Sequence, residues 1–218
     1  MPGYRVVSFL GRGGFGEVWK ASAPGKTDAA LKMIDLRGSQ GAKEFDSLRL
    51  VKRIHHPNLI PVQAFWLKNA DGDIMDEADA GWADATLAGS TQINPEAKPA
   101  DSDGSTSLLT KPVELVIAMG LGQKSLFNRL REAQNEGHPG IPVDELLDYM
   151  ECAAQGIEYL NASFQIVHGD IKPHNILVVG NAAAVCDFGL ARAVENLRKT
   201  ATTSVTVAYA APEALRGR

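Results

Sequence analysis

Eight consecutive residues concentrate the reactive side chains of this chain: His168-Gly169-Asp170-Ile171-Lys172-Pro173-His174-Asn175. Asp170 can accept a proton from an attacking hydroxyl. Lys172 can neutralise charge on a phosphoryl group in transfer, and the amide oxygen of Asn175 suits a hard cation such as Mg²⁺. Twelve residues after Asn175 comes Asp187-Phe188-Gly189, which offers a carboxylate at a strand end, an aromatic anchor and a permissive glycine. Asn175 and Asp187 are placed to share one metal-bound nucleotide. Upstream, Ala30-Leu31-Lys32 sets a lysine inside an apolar strand pattern. An ammonium there is costly to bury unless an anion pairs with it, and a triphosphate would satisfy it.

Gly11, Gly13 and Gly16 form a Gly-x-Gly-x-x-Gly run, a weak signal by itself. A dinucleotide fingerprint should follow a strand and open a helix. Here Glu17-Val18-Trp19-Lys20 are β-formers, so the glycines join two strands. That arrangement suits a flap whose backbone closes over phosphates, and a plain glycine-rich hairpin is the alternative.

The elements that must hold these groups follow from periodicity. Tyr4–Leu10 and Glu17–Ala21 are β-rich runs flanking the glycines, and Ala29–Ile34 reads as a third strand. Ala42–Ile54 has a helical period, with Phe45, Leu48, Val51 and Ile54 on one side. Ile60–Leu67 and Val113–Met119 are further strands. Ser125–Ala133 predicts a short helix and Asp144–Asn161 a long one. The long helix follows Pro142 and an acidic first turn, with an apolar stripe of Leu146, Leu147, Met150, Ala153, Ala154, Ile157 and Leu160. His168–Val179 and Ala184–Phe188 read as short strands interrupted by polar residues. The implied class is α+β, a small β-rich lobe at 1–119 followed by a helical lobe at 120–218.

The 218 residues carry 26 acidic and 22 basic side chains, a net charge of −4. That length suits one large domain or two small lobes sharing a cleft. Two cysteines exclude a disulfide framework. Mild acidity argues against nucleic-acid or membrane-surface binding through basic patches. No apolar run reaches the roughly 18 residues of a membrane span, and Met1–Gly11 lacks a signal peptide's apolar core. A cytoplasmic, reducing setting is expected.

The charge is uneven. Asn69–Thr110 holds nine acids against Lys98 alone, a charge of −8 that leaves +4 on the rest. This stretch has no period and little to bury against its ordering entropy, so it reads as a largely disordered acidic insertion. Within it, Trp82, Leu87, Ile93, Leu108 and Leu109 are either docking anchors for a basic partner or plain loop residues.

Together the motifs resemble those of the protein kinase family, in family order along nearly the whole chain. Gly11–Val18 is similar to its glycine-rich loop and Ala30–Lys32 to its third-strand lysine motif. His168–Asn175 is similar to its catalytic loop, Asp187–Gly189 to its Asp-Phe-Gly and Ala211–Glu213 to its Ala-Pro-Glu. The resemblance implies a two-lobe fold that moves the γ-phosphoryl of ATP, with Mg²⁺, onto a protein serine or threonine hydroxyl. It assigns Asp170 to the hydroxyl proton, Lys172 to the transferred charge, Asn175 and Asp187 to Mg²⁺, and Lys32 to the α- and β-phosphates. Val18, Ala30 and Leu177 would sandwich the adenine. Ala118–Gly120, with Met119 in its middle, would be the hinge, and Ile117 would guard the back pocket. His168 matches a residue that packs on Phe188. Lys172 and Thr206 match the serine/threonine type.

Three positions depart from the family pattern. Gly169 stands where an arginine normally pairs with a phosphorylated activation loop, so phosphorylation of Thr200, Thr202, Thr203 or Ser204 is not expected to be obligatory. Ser47 stands where a helix glutamate normally pairs with Lys32. Glu44, one turn earlier on the same face, is the candidate partner, the alternative being a solvated glutamate favoured by the helix dipole. The family's helical lobe continues past Arg218, so an incomplete, marginally folding catalytic domain with exposed apolar surface is expected. Two other readings stay open. One is a catalytically silent pseudokinase or truncated remnant that binds a nucleotide or partner. The other is a small-molecule kinase, against which Ala211–Glu213 and Thr206 count as a peptide-binding ledge. Cys152 and Cys186 read as packing residues, and His55-His56 before Pro57-Asn58 as a turn rather than a zinc site.

Overall fold

The computed structural model describes residues 1–13, 16–35, 53–75, 113–188, 192–193, 207–209 and 212. Six strands make one antiparallel sheet: β1 (Arg5–Gly13), β2 (Gly16–Ser22), β3 (Asp28–Asp35), β4 (Val62–Lys68), β5 (Ile74–Met75) and β6 (Glu114–Gly120). Their spatial order is β1-β2-β3-β6-β4-β5. β3 and β6 lie in the middle and are apolar nearly throughout, because both of their faces are covered. Leu31, Val116 and Ala118 pack on one side with Ala21. Ile34, Leu115 and Ile117 pack on the other with Leu67.

The second lobe begins with β7 (Lys124–Ser125) and α1 (Leu126–Asn135). Ser125 caps α1, its Oγ accepting from the Asn128 amide at 3.2 Å, a contact worth about 1 kcal/mol at a helix start. The long helix α2 (Val143–Phe164) ends at Gln165, whose left-handed φ of 55° turns the chain into β8 (Ile166–Val167). A three-stranded sheet of β7, β9 (Ile176–Val179) and β10 (Ala182–Val185) follows, and β11 (Arg192–Ala193) pairs with β8.

Two expectations are corrected. First, the buried stripe of α2 is Tyr149, Ala153, Gly156 and Leu160, whereas Leu147 and Met150 are 61% and 46% exposed and Ala154 is also exposed. The helix lies against β10, which brings Ala183 into the same core cluster. The buried face thus mixes the large Tyr149 and Leu160 with the small Ala153 and Gly156, and is set by which side meets the neighbouring elements rather than by residue size. Second, the acidic stretch starts in an ordered turn. Asn69 Oδ1 accepts from the amides of Asp71 and Asp73, at 3.0 and 2.9 Å, and Met75 pairs with Leu67 across β4 and β5.

The rest of that insertion, including Trp82 and the other apolar anchors, lies outside the described residues. So do most of the expected helix at 42–54, with Glu44 and Ser47, and Gly189, Thr206, Ala211, Glu213 and the 200–204 run. Among the described residues no helix is long and apolar enough to cross a membrane.

Candidate active site

The first sheet presents one face to the site. Val18 faces Lys32 across β2 and β3, while Ala30 faces Met119 and Lys32 faces Ile117 across β3 and β6. Cross-strand partners share a side of a sheet, so these five residues line one surface. At its edge Met119 packs with Leu177 of β9 against buried Ile60, Ala184 and Cys186. The expected hinge, Ala118–Gly120, is the last stretch of β6, after which Gly122 passes over Leu177. A Cβ on Gly122 would lie 2.6 Å from Leu177 Cβ, so the backbone crosses there only as glycine. The sequence reading missed Gly122, and its one signal was a second glycine just past an apolar strand.

The flap is a hairpin carried by β1 and β2 through the glycines, Gly11 facing Val18 and Gly13 facing Gly16. Gly16 has φ +133°, and a Cβ on it would collide with the Met33 carbonyl oxygen at 1.9 Å. Arg12 and Glu17 clasp the hairpin across its strands. Glu17 also accepts from Trp19 Nε1 at 3.1 Å. Arg12 first, and Trp19 after it, hold the Glu17 carboxyl below its ordinary range. The clasp was not expected from sequence.

The loop 168–175 is tied from within. Lys172 Nζ sits 2.6 Å from Asp170 Oδ2. Asn175 Nδ2 donates to the Asp170 carbonyl at 2.9 Å and to its Oδ2 at 3.2 Å. The Asn175 amide closes the 3₁₀ turn Pro173–Asn175 onto the Lys172 carbonyl. His168, 5% exposed, contacts the Cys186 carbonyl through Nε2 at 2.9 Å and accepts from the Asp170 amide through Nδ1 at 3.3 Å. Acceptance at Nδ1 puts the imidazole proton on Nε2, which makes Nε2 the donor. The Cys186 amide donates to the Asn175 carbonyl at 2.9 Å. Two bonds to Cys186 therefore fix the next residue, Asp187, beside the loop. Asp187 adopts φ +64° and meets Lys32 Nζ at 3.1 Å, the lysine side chain being 5% exposed.

Burial pushes the His168 imidazole below its ordinary pKa of 6.5. As pH falls the unfolded chain takes up this proton first. The stability from His168 is therefore full above the ordinary value and is lost as pH drops through it toward the lower folded value. Between about pH 7.5 and about pH 5.5, a His168→Gln variant is expected to lose less melting temperature than the wild type. Equal losses in the two proteins would show that His168 is not the source. Burial, and then the charge of Asp187, push the Cys186 thiol well above its ordinary range, as befits a packing residue.

A joint behind the site was read from sequence only as a turn. Asn58, 7% exposed, donates from Nδ2 to the Ala183 carbonyl at 3.0 Å. Its own carbonyl accepts from the Val185 amide at 2.8 Å, and its amide donates to His56 Nδ1 at 3.1 Å. The His56 ring stacks on Tyr159, 4.8 Å between centroids. These bonds stitch the segment entering β4 onto the strand that leads to Asp187.

The sequence profile described as protein tyrosine and serine/threonine kinase matches residues 4–218. The chain belongs to the protein kinase family. This kinase chain is 27% identical over 217 residues to a proline-rich receptor-like protein kinase of Arabidopsis thaliana, covering 97% of the chain and 23% of that relative. It is 28% identical over 223 residues to cyclin-dependent kinase 4 of Ovis aries, covering 97% of the chain and 60% of the relative. It thus spans between about a quarter and three fifths of the length of these kinases. The β-rich lobe followed by helices is the two-lobe arrangement of the kinase family.

The kinase side chains suit Mg²⁺ and a nucleotide. Asn175 is 6% exposed, and its Oδ1 accepts no hydrogen bond among the described residues although its Nδ2 is bonded. A buried amide oxygen without a protein donor is left open to a water, a ligand or a cation. With the Asp187 carboxylate it makes a hard, all-oxygen pair. Among the described residues no cluster of three His, Cys, Asp or Glu forms a metal cage. Mg²⁺ suits this arrangement, since it is commonly held by one or two protein oxygens plus phosphates and water. Glu44, the candidate partner of Lys32, lies outside the described residues.

Proposed function

We propose that this kinase chain transfers the γ-phosphoryl of ATP, with Mg²⁺, to serine or threonine hydroxyls of proteins. The supporting observation is the Lys32–Asp187 pair, which joins the nucleotide-facing sheet to the loop holding Asp170 and Asn175. Lys32 grips the α- and β-phosphates under the flap of Gly11, Gly13 and Gly16. Val18, Ala30 and Leu177 enclose the adenine, with Met119 at the hinge and Ile117 behind. Asn175 Oδ1 and Asp187 hold Mg²⁺, which when bound offsets phosphate charge.

Asp170, oriented by Lys172 and Asn175, accepts the proton of the acceptor hydroxyl as its oxygen attacks the γ-phosphorus in line. The bond to the β–γ bridging oxygen breaks and ADP leaves with that electron pair, while Lys172 neutralises the moving phosphoryl group. Glu44 is the proposed partner that aligns Lys32. The serine/threonine reading rests on Lys172, two residues past Asp170.

The test uses the full-length protein, γ-labelled ATP and pooled peptides bearing serine, threonine or tyrosine as acceptor. Label is expected on serine and threonine alone, and is expected to vanish on chelation of Mg²⁺ and in Asp187→Asn. Label on tyrosine alone would overturn the acceptor class. Nucleotide binding without any transfer would favour a catalytically silent binding module instead.

A further inference from the structure

We infer that a cationic and aromatic ledge beside the catalytic loop selects acceptor segments that carry carboxylates next to the phosphorylated hydroxyl. The inference rests on the transfer reaction proposed above and names the acceptor chemistry at the same site. His174 is exposed and follows Asp170 by four residues, at most about 14 Å of chain. The residues flanking a hydroxyl held at Asp170 therefore come within reach of His174. The Phe127 ring of α1 stacks on His174, with 4.1 Å between centroids and 20° between planes. Arg131, one turn further along α1, sets its guanidinium 5.4 Å from the Phe127 ring centre. α1 itself packs against the 3₁₀ turn that holds His174, so the three side chains form one surface.

The carboxylates nearby are already engaged. Glu132 pairs with Lys124, Glu136 and Glu145 pair with Arg129, and Asp170 pairs with Lys172. Arg131 is exposed and meets no carboxylate among the described residues. A guanidinium is always charged and presents paired donors that match a carboxylate bidentately. The imidazole of His174 adds a further N–H donor along the same path. An acidic residue beside the acceptor gains this partner, and a basic residue there meets like charge. The stack on Phe127 holds both heads in place, so less side-chain freedom is lost when a peptide binds.

The experiment compares two serine peptides that differ in having aspartate or alanine at the positions flanking the serine, assayed with the full-length protein. The wild type is expected to favour the acidic peptide by about fivefold in kcat/KM, as suits an exposed charge pair. Arg131→Glu is expected to abolish or reverse this preference, and His174→Ala to reduce it. In Arg131→Glu, kcat/KM for the alanine peptide and KM for ATP should stay within about twofold of wild type. No preference in the wild type, or an unchanged preference in Arg131→Glu, would overturn the inference.

A second arm reads binding alone, by fluorescence anisotropy with alanine in place of the serine. Tighter binding of the acidic peptide that disappears in Arg131→Glu, without any transfer, would uphold the ledge and overturn the proposed reaction. Transfer without discrimination in either arm would do the reverse. The absence of both would overturn both.

Discussion

Asp170→Asn is expected to lower kcat for phosphoryl transfer by about 10²- to 10⁴-fold while leaving KM for ATP within about twofold, the pattern of a lost proton acceptor. Asparagine has the same shape and still accepts from Lys172 Nζ, so the loop keeps its course. The same amide oxygen can accept from Asn175 Nδ2, which also bonds the residue 170 carbonyl, and the bond from His168 to the Cys186 carbonyl does not involve residue 170. The groups proposed to face ATP are Lys32, Asn175, Asp187 and the sheet residues around Val18, none of which is altered. Steady-state kinetics against both substrates, with melting curves to verify folding, measure the split. A kcat within about tenfold of wild type would remove Asp170 as the proton acceptor.

The second large effect is on stability and comes from a residue with no assigned part in the chemistry. Gly156→Ala should stabilise an isolated helix by about 1 kcal/mol, because alanine is the better helix former. In this protein the opposite is expected. A Cβ at residue 156 would lie 2.6 Å from the Asn58 carbonyl oxygen and 3.1 Å from Leu59 Cδ2. The first atom belongs to backbone that is itself bonded to the Val185 amide, so the contact cannot be relieved by a rotamer change. Overpacking of this kind costs about 1–3 kcal/mol and outweighs the propensity gain in the upper part of that range. Gly156→Ala is therefore expected to melt a few degrees below wild type, and Gly156→Val further below. Leu59→Ala in the same chain should not restore it, because the closer obstacle is the carbonyl. A Gly156→Ala protein that melts higher than wild type would show that α2 can move away from the Asn58 carbonyl without loss.

The parts of the molecule that were legible in sequence are those written in local patterns. Strands β1, β2, β3, β4 and β6 fall within a few residues of the β-rich runs, and α1 and α2 within a few residues of the helical periods. The side chains expected to act together, Lys32, Asp170, Lys172, Asn175 and Asp187, are linked by direct bonds or through Cys186. What the sequence hid depends on which surfaces meet. β6 inserts between β3 and β4, an order no local pattern encodes. Leu147 and Met150 looked like core because they are large, whereas Ala153 shares a core cluster with Ala183 of β10 and Gly156 lies against Asn58 and Leu59. Asn58 looked like turn punctuation, since its two partners on β10 lie more than a hundred residues away. Asn69 sat inside a stretch whose composition spoke for disorder, and its own side chain nucleates a turn that composition does not register.

The Lys32–Asp187 contact spans 155 residues of chain, which bears on how the protein is made. Ribosomes extend a chain at about 5–20 residues per second, so Asp187 follows Lys32 by roughly 8–30 s. The flap hairpin and its neighbour β3 are complete early in that interval, but β6, which separates β3 from β4, is added only by residue 120. The sheet face that carries Lys32 therefore has to wait for its central strand, and then for a carboxylate from the far end of a long loop. Closing such a loop adds little to the equilibrium cost, which grows only with the logarithm of length, but contacts this distant in sequence slow folding markedly. The nascent chain thus passes through a window in which the first sheet is present and the Lys32–Asp187 charge pair is not.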